Sequence, residues 1–450
     1  MNASNVTATL AKYLVASRYE DLPREVVHEA SRALLNWLGC AIGASHHATV
    51  DNAVAALQPF FGAAQARLLG RRERVDALHA ALINGISSHV LDFDDTHARA
   101  VHVSAPVWPA LLAFAEWRGA QGISGAELIH AFVLGVETEV RVGLSVFPEH
   151  YDKGYHITGT AGVFGAAAAI GKLLKLNEQQ MVWALGIAAT QSAGLREMFG
   201  SMCKSFHPGS AAKNGFAAAL LAQQNFTSAD MGIEGKRGFA HVMSSRFDPA
   251  VITEGLGKSY ELSRNMYKPF ACGLVVHAAI DGCLQLKREH GLRGDEIKHI
   301  ALRVCPIVME LTANKKPRDG LEGKFSIFHA CAAAIVRGAA LEAQFADAVV
   351  NDPAVIAVRD KIDATPDAAI RKLEAHVRIE LADGRVLDKH VAHALGSTEH
   401  PMSDADLEDK FLGLAEGVIP AAQAQRLIAL CWKFPTLADA AQLPRAAELS

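Results

Sequence analysis

The chain has 450 residues, 50% hydrophobic and 20% charged, which excludes a mostly disordered polymer and allows two or three structural units at about 100–200 residues each. Lys and Arg total 44 against 48 Asp and Glu, a formal net charge of -4, so the basic excess of a dedicated nucleic-acid binder is missing. Residues 1–23 lack a charged-then-apolar secretory pattern, and no apolar run reaches the roughly 20 residues that span a bilayer, so a cytoplasmic location without membrane contact is expected.

Apolar residues at helical spacing first run over 23–39, through Val26, Val27, Ala30, Ala33, Leu34 and Trp37. The pattern repeats over 73–90, through Ala77, Leu78, Ala81, Leu82 and Ile86. Further helices are expected over 106–119, 125–144, 159–174, 178–193 and 210–224. Asn177 is placed to cap the helix that follows it, and Thr227 or Ser228 to cap another. Ala and Gly are frequent throughout, so the helix axes can approach closely.

The texture changes near residue 265. Residues 297–311 alternate through Ile300, Leu302, Val304 and Ile307 and read as a strand. Residues 373–381 and 385–392, joined by Ala382-Asp383-Gly384, read as a hairpin. Helices are expected between the strands, over 277–289 and 325–338. Ser403 with Asp406 forms a capping-box pattern before a helical stretch over 406–431. The fold class is therefore mainly α. A large helical domain is built from both chain ends, 1–264 and 396–450, with a smaller α/β domain, 265–395, inserted between them. The seven cysteines are scattered and form no CxxC pair, so neither a disulfide framework nor a structural zinc site is expected.

Five segments carry chemistry. Asp92, Asp94, Asp95, His97 and His102 put three carboxylates and two imidazoles within eleven residues. Such groups can transfer protons, orient one another or bind a divalent cation; the plainer reading is a solvated, helix-capping loop. Gly154-Tyr155-His156-Ile157-Thr158-Gly159 places a His between glycines at a helix start, with Thr158 or Thr160 as a cap. No strand precedes it, so it is not a dinucleotide fingerprint. Lys204-Ser205-Phe206-His207-Pro208-Gly209 offers a carboxylate-binding corner. Tyr267-Lys268-Pro269-Phe270-Ala271-Cys272, with His277 and Asp281 beyond it, and Gly323-Lys324-Phe325-Ser326-Ile327-Phe328-His329 add further lysines and histidines.

Taken together and in order, these segments resemble the MmgE/PrpD family, whose members include 2-methylcitrate dehydratase, cis-aconitate decarboxylase and iminodisuccinate epimerase. The resemblance implies a helical domain with an α/β lid, a site between them, a homodimer, and neither metal nor other cofactor. It carries site roles onto Asp92, Thr96, His102, His156, Lys204 and Lys268, with His207 and His277 as secondary candidates. Two positions depart from the decarboxylase: Gly273 replaces a His five positions after Lys268, and His329 replaces a Tyr. The departures favour a 2-methylcitrate dehydratase-like hydro-lyase and make His329 a substitute acid or base.

The expected chemistry is proton transfer at a carbon beside a carboxylate of a di- or tricarboxylate. Lys204 and Lys268 would bind carboxylates and stabilise the enediolate charge. His156 or Asp92 would remove the proton, His102 would protonate the leaving hydroxyl, and Thr96 would hold one of them by a hydrogen bond. Epimerisation and decarboxylation are the enzymatic alternatives. A non-catalytic carboxylate-binding protein and a metal-dependent hydrolase on Asp92, Asp94 and Asp95 are the others.

Overall fold

The computed structural model describes residues 5–99, 101–119 and 122–449. Positions 1–4, 100, 120, 121 and 450 of the two expected helical segments lie outside the described residues.

Five helices, Ala77–Val90, Ser104–Arg118, Gly125–Ser145, Ile157–Leu173 and Cys203–Gln223, form the centre of the helical part. The Ile157–Leu173 helix is buried over nearly its whole length and packs between Gly125–Ser145 and Cys203–Gln223. Ala and Gly fill its surface, which lets neighbouring backbones come close. The closest crossing lies between Ala77–Val90 and Cys203–Gln223: a Cβ on Gly85 would stand 2.6 Å from the Gly209 Cα. Only glycine fits there, and the crossing draws Lys204 towards His89.

The α/β part holds a four-stranded sheet in the order Ile362–Pro366, Ile297–Val304, Ala375–Leu381, Val386–Val391. The first pair is parallel and the other two are antiparallel. Val377, Ile379, Ile300 and Leu302 face inward, where the helix His277–His290 covers the hairpin. One hydrophobic core gathers residues between Val6 and Tyr267 and between Met402 and Ala447. A second gathers residues between Phe270 and Ala394, and takes in Val90, Leu91 and Phe93 from the end of the Ala77–Val90 helix. The 92–97 loop therefore leaves that helix where the two cores meet. The helix Asp404–Ala415 packs on Arg24–Gly43, so the end of the chain lies against its beginning. No helix among the described residues is long and apolar enough to cross a membrane.

Several expected boundaries move for local reasons. The helix expected from residue 73 starts at Ala77, capped by Asp76, because Arg74–Val75 pairs with Ala66–Arg67. The strand expected over 297–311 ends at Val304, and Pro306 opens a helix, Pro306–Thr312. The helix expected from residue 210 starts at Cys203 and holds Pro208 in its second turn, which forgoes one helical hydrogen bond. No helix starts at Thr227 or Ser228; the next is Phe239–Met243. The stretch 406–431 is two helices, Asp404–Ala415 and Ala421–Lys433, separated at Gly417 (φ 76) and Pro420. The caps at Asn177 and Ser403 form as expected, each with its reciprocal partner, Gln180 and Asp406.

Candidate active site

A cavity open to solvent lies between the helical part and the α/β part. Three helices begin at its wall. His102 and Val103 precede Ser104–Arg118, His156 is the N-cap of Ile157–Leu173, and Lys204 sits in the first turn of Cys203–Gln223. Helix N-termini favour anions. A lysine at that end works against the helix dipole, which makes Lys204 a poor structural choice and a good anion binder.

Asp92 organises the centre. It is a non-glycine residue at φ 49, just past the C-terminus of Ala77–Val90, and its N–H donates to the His89 carbonyl at 3.0 Å. This left-handed turn aims the carboxylate at two lysines. Lys204 Nζ donates to Asp92 Oδ1 at 2.9 Å and Lys268 Nζ at 2.8 Å, and Lys268 also donates to the Asp92 carbonyl at 2.9 Å. Lys268 is held in place because Thr96–His97 pairs antiparallel with Asn265–Met266. Below that ladder, Asp95 accepts from Ser104 and Asn265, both at 2.7 Å.

A second chain of contacts runs through the histidines. Lys204 Nζ donates to His89 Nε2 at 2.9 Å, so His89 carries its proton on Nδ1 and donates it to Asp94 Oδ2 at 2.9 Å. His102 Nδ1 lies 3.1 Å from the same oxygen, though off the direction of a good hydrogen bond. His102 Nε2 lies 3.9 Å from Asp92 Oδ1. His156 Nδ1 is 2.9 Å from His207 Nδ1, and its ring meets Phe199 edge-on. Apolar side chains complete the lining: Phe147, Leu274, Val275 and Leu311, with Phe199 and Phe325, whose ring centroids lie 5.5 and 5.6 Å from Lys204 Nζ.

Electrostatics follow from this packing. Burial opposes the charge on Asp92, but Lys204 and Lys268 outweigh it and hold the carboxyl well below the usual range. Asp94 is likewise buried and likewise held low, by His102 and His89. Burial drives His89 down to about 3, with Lys204 and His102 adding to the effect. Burial, then Lys204 and the neighbouring imidazoles, pushes His156 well below its ordinary value. Burial also lowers His102, against Asp94, and lowers Lys204, against Asp92. The packing thus favours the neutral form of these imidazoles. A bound polyanion raises their affinity for protons and turns them into acids.

Ligand atoms of His89, His102 and His156 lie within 4.8 Å of one another, as do those of Asp92, Asp94 and His102. Neither trio suits a metal. Two ammonium groups stand 2.8–2.9 Å from Asp92, where a cation would bind, and the same Lys204 occupies His89 Nε2.

Comparison with known proteins agrees with these elements. The MmgE/PrpD N-terminal domain matches residues 8–252 and the MmgE/PrpD C-terminal domain residues 270–434. The chain belongs to the MmgE/PrpD family. Among relatives, the cis-aconitate decarboxylase-like protein oryM of Aspergillus oryzae is 27% identical, over 98% of this chain and 96% of the relative. Cis-aconitate decarboxylase of Aspergillus terreus is 26% identical, over 97% and 94%. The human cis-aconitate decarboxylase is 25% identical, over 98% and 94%.

Within this MmgE/PrpD chain, Asp92, Thr96, His102, His156, Lys204 and Lys268 line the cavity. Three roles change. Thr96 Oγ1 donates to the Val101 carbonyl at 3.2 Å, so it shapes the loop and holds neither His102 nor Asp92. Thr158 and Thr160 do not cap their helix; Thr158 accepts from the His102 N–H at 3.2 Å and Thr160 is 2.8 Å from His150 Nε2. His329 lies outside the cavity. Ser326 caps its helix and turns the ring inward, where Nε2 meets the Gln344 carbonyl at 3.0 Å, so it is no substitute acid or base. His207 stands behind His156, and His277 stands behind the cavity wall with Nε2 3.2 Å from the Cys272 carbonyl. Lys324 turns away to Glu342 at 2.6 Å. Sequence reasoning missed His89, and Lys372 as a cavity-lining cation. His89 stands in the last turn of Ala77–Val90, three residues before Asp92, a spacing that could have drawn it in.

Proposed function

We propose that this protein is a lyase that removes carbon dioxide from a small di- or tricarboxylate of the cis-aconitate type. One observation carries the reading. Two buried ammonium groups share the single carboxylate of Asp92, beside His102 and His156, in a cavity whose lining also includes Leu274, Val275 and Leu311. The lysines are left with one uncompensated positive charge, which binds a retained substrate carboxylate.

The leaving carboxylate is then placed against the aliphatic side chains of Leu274, Val275 and Leu311, where its charge is poorly solvated and conversion to neutral carbon dioxide relieves that. The C–C bond breaks with its electron pair left on the substrate. The pair spreads through the double bond onto the carboxylate held by Lys204 and Lys268, the strongest electrostatic stabilisation the site offers. His102, with Asp94 behind it, or His156, with His207 behind it, then delivers a proton to carbon. Solvent restores the proton. The names of the relatives support decarboxylation over the 2-methylcitrate dehydration expected from the motifs.

Dehydration stays as the second reading because Gly273 lines the cavity at the position where the resemblance puts a decarboxylase His. In that case the same lysines stabilise an enediolate and His102 protonates the leaving hydroxyl.

The test is a sealed-vessel assay with cis-aconitate, citrate, 2-methylcitrate and hydroxy- and amino-dicarboxylates. Carbon dioxide released from cis-aconitate supports the proposal. An alkene absorbance from 2-methylcitrate without gas release replaces it with the dehydratase reading.

A further inference from the structure

The outer face of the sheet carries a cluster that the reaction does not use. His376 and His390 are direct cross-strand partners on Ala375–Leu381 and Val386–Val391. Their rings are stacked, with centroids 4.2 Å apart and planes within 7°. Glu374, two residues before His376 and on the same face, reaches both. Its Oε1 lies 2.7 Å from His390 Nε2 and 3.9 Å from His376 Nε2.

The geometry points to a transition-metal site of the zinc, nickel or copper class, formed by Glu374, His376 and His390. The three ligand atoms lie within 4.8 Å of one another. Metal bonds of about 2.0–2.1 Å in a tetrahedron put ligand atoms about 3.3 Å apart, and the two separations above bracket that edge. The imidazole planes are parallel, so one ring must turn out of the stack about its side-chain torsions before both Nε2 lone pairs converge on one ion. Glu374 is also preset. Arg371 donates to Oε2 at 2.8 Å, which leaves Oε1 aimed at the imidazoles. A partner that orients a ligating carboxylate in this way is what a metal site requires. The strand bearing His390 is the sheet edge, and both imidazoles are partly exposed, so a fourth position stays open to water. Two cations stand close by: Arg371, which is spent on Glu374 Oε2 at 2.8 Å, and Arg303, which pairs in register with His376 and is held by Asp367 at 2.5 Å. Nitrogen and carboxylate donors together favour zinc, nickel or copper over calcium or magnesium.

Isothermal titration of the whole protein with zinc chloride tests the site. The wild type should take up one ion per chain near pH 7.5. His376→Ala and His390→Ala should each weaken binding at least tenfold, Glu374→Gln less, with an unchanged thermal midpoint. Equal binding by the His376→Ala/His390→Ala double variant would overturn the proposal. The ion would then be an adventitious ion only. No uptake by the wild type overturns it as well.

Discussion

Lys410 donates to the main-chain carbonyl of Lys268 at 2.8 Å, across 142 positions of sequence. The same ammonium donates to the Phe93 carbonyl at 2.6 Å and to Asn36 Oδ1 at 2.7 Å, and it sits 3.8 Å over the Phe93 ring. A lysine from the Asp404–Ala415 helix thus ties together the two segments that bring Asp92 and Lys268 to each other. Burial pushes its pKa down to about 8, so the ion pays a solvation penalty for that grip. Lys410→Met should leave three buried acceptors without a donor, at about 1–3 kcal/mol each. The expected outcome is a thermal midpoint lowered by several degrees and a fall in kcat of about tenfold or more, since the Asp92–Lys268 geometry loosens. Thermal denaturation and steady-state kinetics check both.

Asp95 gives a pH signature. Burial pushes its pKa up to about 7, against the hydrogen bonds from Ser104 and Asn265. The folded state therefore holds a proton that the unfolded chain releases near pH 4. The stability this supplies is complete below about pH 4 and is lost as pH rises through about 7. Asp95→Asn keeps the shape of the protonated form and removes the titration. The midpoint of the variant should gain on that of the wild type between pH 5 and pH 8, measured by thermal denaturation in matched buffers. An unchanged difference across that range would mean that Asp95 is ionised throughout.

The histidines should separate by place. His102→Ala and His156→Ala each remove a proton donor at the cavity, and each should lower kcat by about 100- to 10,000-fold with the fold intact. His207→Ala removes only the partner of His156 and should fall short of that loss. His329→Ala, outside the cavity, should change stability and leave KM unaltered. Lys204→Met should lower kcat/KM in a way that added substrate does not rescue.

Gly85→Ala probes the helix crossing. The new Cβ would stand 2.6 Å from the Gly209 backbone, and such overpacking costs about 1–3 kcal/mol. The separated helices would stretch the Lys204–His89 contact, so activity and thermal midpoint should fall together.

Much of the site was legible because its parts are short and local. Asp92 to His102, His156 and Lys204 each stand out from apolar surroundings within a few residues. What joins them was not legible. Asp92 meets Lys204 across 112 positions and Lys268 across 176, and spacing along the chain says nothing about such pairs. His89 hides inside a helix that reads as core, and Lys410 inside one that reads as surface. The roles of Thr96 and His329 were misjudged for a related reason. A hydroxyl or imidazole takes the nearest backbone carbonyl, and only the folded loop shows which one that is. Among the elements, helix interiors were read well from periodicity. Three of the errors fell at Pro306, Pro208 and Gly417, where a single residue ends or tolerates a helix against the pattern; the others fell at residue 73, where a short strand pair holds the chain, and at Thr227 and Ser228, where no helix starts.

The central claim is that His102 and His156 move a proton to or from a substrate carbon while Lys204 and Lys268 hold the charge. Proton NMR of a cis-aconitate incubation in deuterated buffer tests it most directly. The account predicts a new product signal carrying one deuterium on carbon, reduced by at least about 100-fold in His102→Ala or His156→Ala. Product formed at wild-type rate by both folded variants would contradict it, as would a product without deuterium.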